Sequence, residues 1–175
     1  PKVVLDYKAT KKTLVYGSAS RGFKSGGFAS GFDDPASAVV PFDPEFAWNY
    51  ELGFKSRFLN NRLQFNVALF KVDYSDLQVR QFDSVGRTIV GNAGSARVNG
   101  VEAELLTRPM SGLELFANYS YQDGKYKNLV LEGADFTGNH MIFTPSHTLT
   151  SGFTYTADLG GSSLVLDGDV MFRSR

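Results

Sequence analysis

About eight stretches of this chain alternate apolar with polar side chains, and that period of two constrains the fold more than any other feature. In Trp48-Asn49-Tyr50-Glu51-Leu52-Gly53-Phe54-Lys55-Ser56-Arg57-Phe58 the even positions are apolar apart from Ser56, and every charge falls on an odd one. An extended strand sends Trp48, Tyr50, Leu52, Phe54 and Phe58 to one face and Glu51, Lys55 and Arg57 to the other. The pattern recurs. Val3, Leu5 and Tyr7 oppose Val4, Asp6 and Lys8, and Leu63, Phe65, Val67 and Leu69 oppose Gln64 and Asn66. Val101, Ala103 and Leu105 oppose Glu102 and Glu104. Leu113, Leu115, Ala117, Tyr119 and Tyr121 oppose Glu114, Asn118, Ser120 and Gln122. Leu164, Leu166, Val170 and Phe172 oppose Asp167, Asp169 and Arg173.

Strands are therefore expected at 2–8, 13–25, 45–58, 62–80, 96–108, 113–127, 146–157 and 163–173, with ends good to ~2–4 residues. Two places break the pattern. Phe70, Val72 and Tyr74 switch parity after Leu69, which requires either a bulge near Leu69 or an inward Phe70. The strand at 13–25 shows no clear outer face.

The connections alternate in kind. Ala9–Lys12, Leu59–Asn61, Pro109–Gly112 and Leu159–Ser162 are tight turns of Asn, Gly, Pro, Lys and Ser. Between them lie longer segments rich in Gly, Asp and Ser at 26–44, 81–95 and 128–145. Tight turns on one side and long loops on the other is the layout of an antiparallel up-and-down barrel standing in an outer membrane. Loops of this composition bury little apolar area, so 26–44 and 128–145 are expected to be mobile. Residues 1 and 175 both fall at long-loop ends, which fits a slice of a larger barrel better than a finished small one.

Composition adds mostly exclusions. Eighteen basic and eighteen acidic residues leave no net charge, so no whole-chain field points to nucleic acid. The absence of cysteine removes disulfides, thiolate metal sites and a Cys nucleophile. No apolar run of about 18 residues offers a transmembrane helix, and barrels keep mean hydropathy mild because only alternate residues meet lipid. Pro1-Lys2-Val3-Val4 does not open a signal peptide. Arg21-Gly22-Phe23-Lys24-Ser25-Gly26-Gly27 lacks the order of a phosphate-binding loop. His140 and His147 have no third ligand at metal spacing, and no G-x-S-x-G elbow occurs. No enzyme activity, metal site or cofactor is expected.

Leu14-Val15-Tyr16-Gly17-Ser18-Ala19-Ser20-Arg21-Gly22-Phe23-Lys24-Ser25-Gly26-Gly27-Phe28 resembles the Y-x-S-x-S-x-G-F-K-x-G-G-F segment of TonB-dependent outer-membrane receptors. Pro44-Glu45 followed by Asn49-Tyr50-Glu51-Leu52-Gly53-Phe54-Lys55 is similar to the same family's PE-x-x-x-x-YE-x-G-x-K segment. Ala68-Leu69-Phe70, Asp73-Tyr74, Asn92-Ala93-Gly94 and Asn99-Gly100-Val101-Glu102-Ala103-Glu104 continue the series in order. The resemblance implies a partial barrel domain over 1–175, about eight strands of the roughly 22-stranded type. It implies a plug domain and a TonB-contacting box outside these residues, and about three further strands after Arg175. It also implies a bacterial outer-membrane receptor that takes up a ferric siderophore or similar nutrient, using energy from the TonB complex. Expected partners are that complex, the ligand and outer-membrane lipid, with no nucleic acid. A passive porin-like barrel and a soluble all-β binding module are the alternatives.

Two sets of residues are candidates. Glu51, Lys55, Arg57, Glu102, Glu104, Asn118 and Asp169 are expected to line the lumen. They form either a substrate path or plug-docking surface, or a ladder of cross-strand ion pairs, which the neutral overall charge favours. Arg21, Lys24, Phe28, Phe32, Phe136 and Phe143 are the ligand candidates on the loop side, with the phenylalanines expected to pack against their strand stems. Leu52, Phe54, Val101 and Leu115 are expected to face lipid, Leu115 near the midplane.

Overall fold

Alternating residues form the expected ribbon. The computed structural model describes residues 1–28, 41–82 and 88–174. Its wall strands are β1 (Lys2–Thr10), β2 (Thr13–Lys24), β3 (Glu45–Phe58), β4 (Leu63–Ser75), β5 (Gly94–Met110), β6 (Leu113–Leu131), β7 (His147–Asp158) and β8 (Ser163–Arg173). Each pairs antiparallel with its neighbours in chain order, and only the short strand Ala134–Asp135 is added, on β6. Described helical structure large enough to cross a membrane is absent.

Register settles the faces, because residues directly opposite each other in a ladder lie on the same side. Leu52 stands opposite Leu69, and Leu69 opposite Val101. Phe54, Val67, Ala103, Tyr119, Leu149 and Phe172 form the next row along the same face. Leu52 and Leu69 are 57% and 56% exposed, which suits a surface that lipid covers. β2 takes its faces from β3. Val15, Gly17, Ala19 and Arg21 stand opposite Phe54, Leu52, Tyr50 and Trp48, on the outer side.

β4 runs unbroken against β3 from Phe58↔Leu63 to Phe46↔Ser75, so there is no bulge at Leu69. Phe70 faces inward, opposite Glu51 and Gly100. A Cβ on Gly100 would stand 2.3 Å from the Phe70 ring, so the glycine opens the space that the inward aromatic fills. Near the short turns the outer face carries a satisfied polar pair, Thr13 Oγ1 and Ser56 Oγ at 2.8 Å. That bond explains how Ser56 occupies an otherwise apolar row.

The long-loop end differs from the expectation. β4 stops at Ser75 rather than continuing to 80, since Asp76 takes φ 56° and turns the chain away. Gln78–Phe82 then pairs with Thr88–Asn92 as a separate hairpin. The segment expected as a loop at 128–145 begins as β6, turns at Glu132-Gly133 and returns along the β6 edge above β7. Gly138 N–H donates to the Tyr126 carbonyl at 2.8 Å, Met141 N–H to Gly124 at 2.9 Å, and Gln122 N–H to Ser146 at 3.0 Å. These bonds tether a stretch whose composition suggested mobility. Ala96, Val98, Leu77 and Leu129 are buried at this end, with Met141 and Thr144 lying against Gly124.

Candidate functional site

Three inner-face residues of β3, at period two, define the middle of the wall. Tyr16 of β2 stands opposite Gly53, lies across it and donates its hydroxyl to Glu51 Oε1 at 2.5 Å. Lys55 Nζ is 5.3 Å from the Tyr16 ring centroid on the other side, within cation–π range. A Cβ at position 53 would meet the ring at 2.2 Å, so only glycine lets the tyrosine lie flat between the glutamate and the lysine. On the adjacent strands Asn66, Glu104 and Asn118 stand opposite one another. Asn66 Nδ2 donates to Glu104 Oε2 at 2.9 Å. Tyr16, Glu51, Lys55, Asn66, Glu102 and Glu104 line an open recess of about 190 Å³.

The ladder of ion pairs is not found in this recess. Glu51 has Ser18 and Phe70 opposite it, Glu102 has Ala68 and Ser120, and Glu104 has Asn66 and Asn118. Among the described residues no cation stands directly opposite any of the three, and Glu51 and Glu104 take neutral donors instead. Three carboxylates against Lys55 make the recess electronegative within a chain of zero net charge. Arg57 sits lower, opposite Gln64, and lines a second recess near the short turns with Lys8, Lys11, Lys12 and Lys55. Asp169 lies on the inner face opposite Gly152.

The loop-side candidates separate. Lys24 is at the inner mouth, opposite Glu45, whereas Arg21 is on the outer face with its guanidinium 4.1 Å from the Phe46 ring. Phe28 is 66% exposed and Phe143 98% exposed, so Phe143 does not pack on its stem. Its backbone takes the left-handed φ of 57°. Phe136 is partly covered, and Phe32 lies outside the described residues. Nearby, the Thr137 hydroxyl and N–H hold the Asp135 carboxyl below the ordinary carboxylate range.

Two amides absent from the sequence-based candidates tie the loop bases together. Gln78 Nε2 donates to the Ser25 carbonyl at 2.9 Å and the Asp43 carbonyl at 3.1 Å, while its backbone N–H donates to Glu45 Oε2 at 2.9 Å. Asn92 Nδ2 donates to Asp43 O at 2.9 Å and Asp76 O at 2.7 Å, and Asn92 Oδ1 accepts from Asp43 N–H at 2.7 Å. The two long connections on either side of β3 and β4 thus share one hydrogen-bonded base. The glycine standing among the charged positions of Glu51-x-Gly53-x-Lys55 marks a close approach at that point of the wall without identifying Tyr16 as the residue that makes it. Asn92 stands in the family-like Asn92-Ala93-Gly94 segment, whereas Gln78 carried no signal.

An eight-stranded wall with an apolar outside, a polar inside and long loops at one end is part of a transmembrane β-barrel. The family described as "TonB dependent receptor-like, beta-barrel" matches residues 1–174, and the chain belongs to it. Members of this family stand in the outer membrane of Gram-negative bacteria. The chain is 38% identical over 129 residues to the ferric-pyoverdine 358 receptor of Pseudomonas putida, covering 69% of this chain and 14% of that protein. It is 25% identical over 163 residues to the probable TonB-dependent siderophore receptor PiuA of Acinetobacter baumannii, covering 86% and 21%. Among solved structures, the ferric yersiniabactin uptake receptor FyuA of Yersinia pestis superposes with a TM-score of 0.77 at 22% identity, covering 98% of this chain and 25% of that one. The chain therefore spans about a seventh to a quarter of the length of these relatives.

Proposed function

We propose that these residues are a wall segment of a receptor that takes up a ferric siderophore across the outer membrane with energy delivered by TonB. The observation that carries this reading is the family match along residues 1–174 together with 38% identity to a ferric-pyoverdine receptor. The protein's own geometry supports it: a polar, electronegative inner wall at mid-height, and long loops joined at their bases. In this reading the recess around Glu51, Glu102 and Glu104 faces the plug domain, and the loop side with Lys24, Phe28, Phe136 and Phe143 faces the incoming chelate. TonB acts through a region outside these residues.

The test is uptake of radiolabelled ferric pyoverdine, and of other ferric siderophores, by receptor-deficient cells carrying the full-length gene. Uptake is expected in cells with TonB and absent in cells without it. Transport that continues without TonB and does not saturate would favour the passive porin-like alternative.

A further inference from the structure

The outer face carries a charged cluster on the side of the wall opposite the inner recess. Register sets Arg21, Trp48, Asp73, Arg97 and Lys125 side by side across β2 to β6. Tyr50, Lys71, Asn99 and Asp123 form the next row toward the short turns, and Leu52, Leu69, Val101 and Tyr121 the row after that. All three rows share the apolar outer face, so the charges stand at its long-loop edge, just above the lipid-covered leucines. Trp48 and Tyr50 stack at 5.9 Å between them, as aromatics do at a membrane interface.

Four cations face two carboxylates here, an excess of two positive charges. Asp73 binds Arg97 Nε at 2.5 Å and Lys71 Nζ at 3.0 Å, and Asp123 binds Lys125 Nζ at 2.9 Å. The Asp73 pair engages Arg97 through Nε and leaves its terminal nitrogens out of that contact. The cationic side chains of Lys71, Arg97 and Lys125 remain about 40% exposed, at 42%, 37% and 45%. Hydrocarbon would penalise such charges, whereas the interface tolerates them, so the cluster lies at headgroup level. The outer leaflet of this membrane is built from glycolipid whose headgroup bears phosphates. Guanidinium and ammonium groups spaced along a wall match that chemistry.

We propose that Arg21, Lys71, Arg97 and Lys125 form a docking site on the lipid-facing wall for the phosphorylated headgroup of an outer-leaflet glycolipid, with Trp48 and Tyr50 packing beneath it. Asp73 and Asp123 orient the cations rather than cancel them.

The experiment uses the purified full-length receptor in detergent, with retained bis-phosphorylated lipid A measured by native mass spectrometry across a titration. Arg97→Gln/Lys125→Gln should bind about thirtyfold more weakly, since each cation near an anionic surface contributes roughly a factor of five. Lys71→Gln, which leaves the Arg97–Asp73 pair in place, should weaken binding about fivefold. Wild-type protein should bind dephosphorylated lipid A more weakly than the double variant binds the phosphorylated form, since that lipid engages none of the four cations. Equal affinity for the two lipids would overturn the proposal without reference to any variant. Full competition by inorganic phosphate would assign the cluster to free anions, and equal retention of phosphatidylglycerol would reduce it to a general anionic surface; either result overturns the assignment.

Discussion

Tyr16 lies flat on the inner wall because position 53 has no side chain, and its hydroxyl then reaches Glu51. Gly53→Ala forces the ring off the wall and should destabilise the full-length barrel by about 1–3 kcal/mol, the usual cost of overpacking. Tyr16→Phe keeps the ring and loses only the hydrogen bond, so about 0.5–1.5 kcal/mol is expected. Gly22→Ala, with nothing within 4 Å of the added carbon, is the neutral control. Urea unfolding of the three variants in lipid vesicles checks the order. The glutamate, the glycine and the lysine were legible as one face of a strand, but the tyrosine was not, because small residues occupy both parities of β2. The neutral charge of the whole chain also misled. It averaged an electronegative inner recess with a basic outer rim.

At the scale of strands, period-two patterning located every wall element within a few residues and fixed which side meets lipid for all but β2, whose faces follow from its register with β3. It placed depth less well. Leu115 is two residues into β6, close to the short turn, so it is not near the midplane. Val67 is midway between Leu63 at the turn and Lys71 at the charged rim, and its neighbours are Phe54 and Ala103. Val67→Arg should therefore cost about 2–4 kcal/mol in vesicle unfolding and Leu115→Arg clearly less, with Asn118→Ser on the inner face close to neutral. Equal costs at 67 and 115 would contradict this depth assignment. The loop bases were illegible for a different reason. Gln78 acts through carbonyls 35 and 53 residues away and Asn92 through carbonyls 16 and 49 residues away, and the period-two pattern holds no trace of such partners. Gln78→Glu removes the Nε2 donor, so hydrogen exchange should quicken at Gly26–Phe28 and around Asp43, with the exchange of β4 unchanged. An unchanged rate at both loop bases would show that the amide does not hold them.

For the whole molecule, closure is the governing requirement. β1 pairs only with β2 and β8 only with β7, so the described sheet is an open ribbon with two long edges. Their backbone N–H and C=O groups need partners. In hydrocarbon each unsatisfied group costs several kcal/mol, which only a closed barrel avoids. The outer faces of both edge strands are apolar, with Val3, Leu5 and Tyr7 on β1 and Leu164, Leu166 and Val170 on β8 all exposed. Apolar, unpaired strands of this kind also recruit other strands from water. These 175 residues expressed alone should accordingly be recovered as aggregates or edge-paired oligomers, and should restore no ferric siderophore uptake to receptor-deficient cells. Supplying the remaining barrel strands and the plug on a second polypeptide should recover uptake, because the missing partners for both edges then come from the complement. The readout is TonB-dependent accumulation of labelled iron in cells carrying one piece, the other, or both. Energy-dependent uptake by the 175 residues with no complement would mean that the ribbon closes by itself, and both the edge argument and the proposed place of this wall in a larger receptor would fall together.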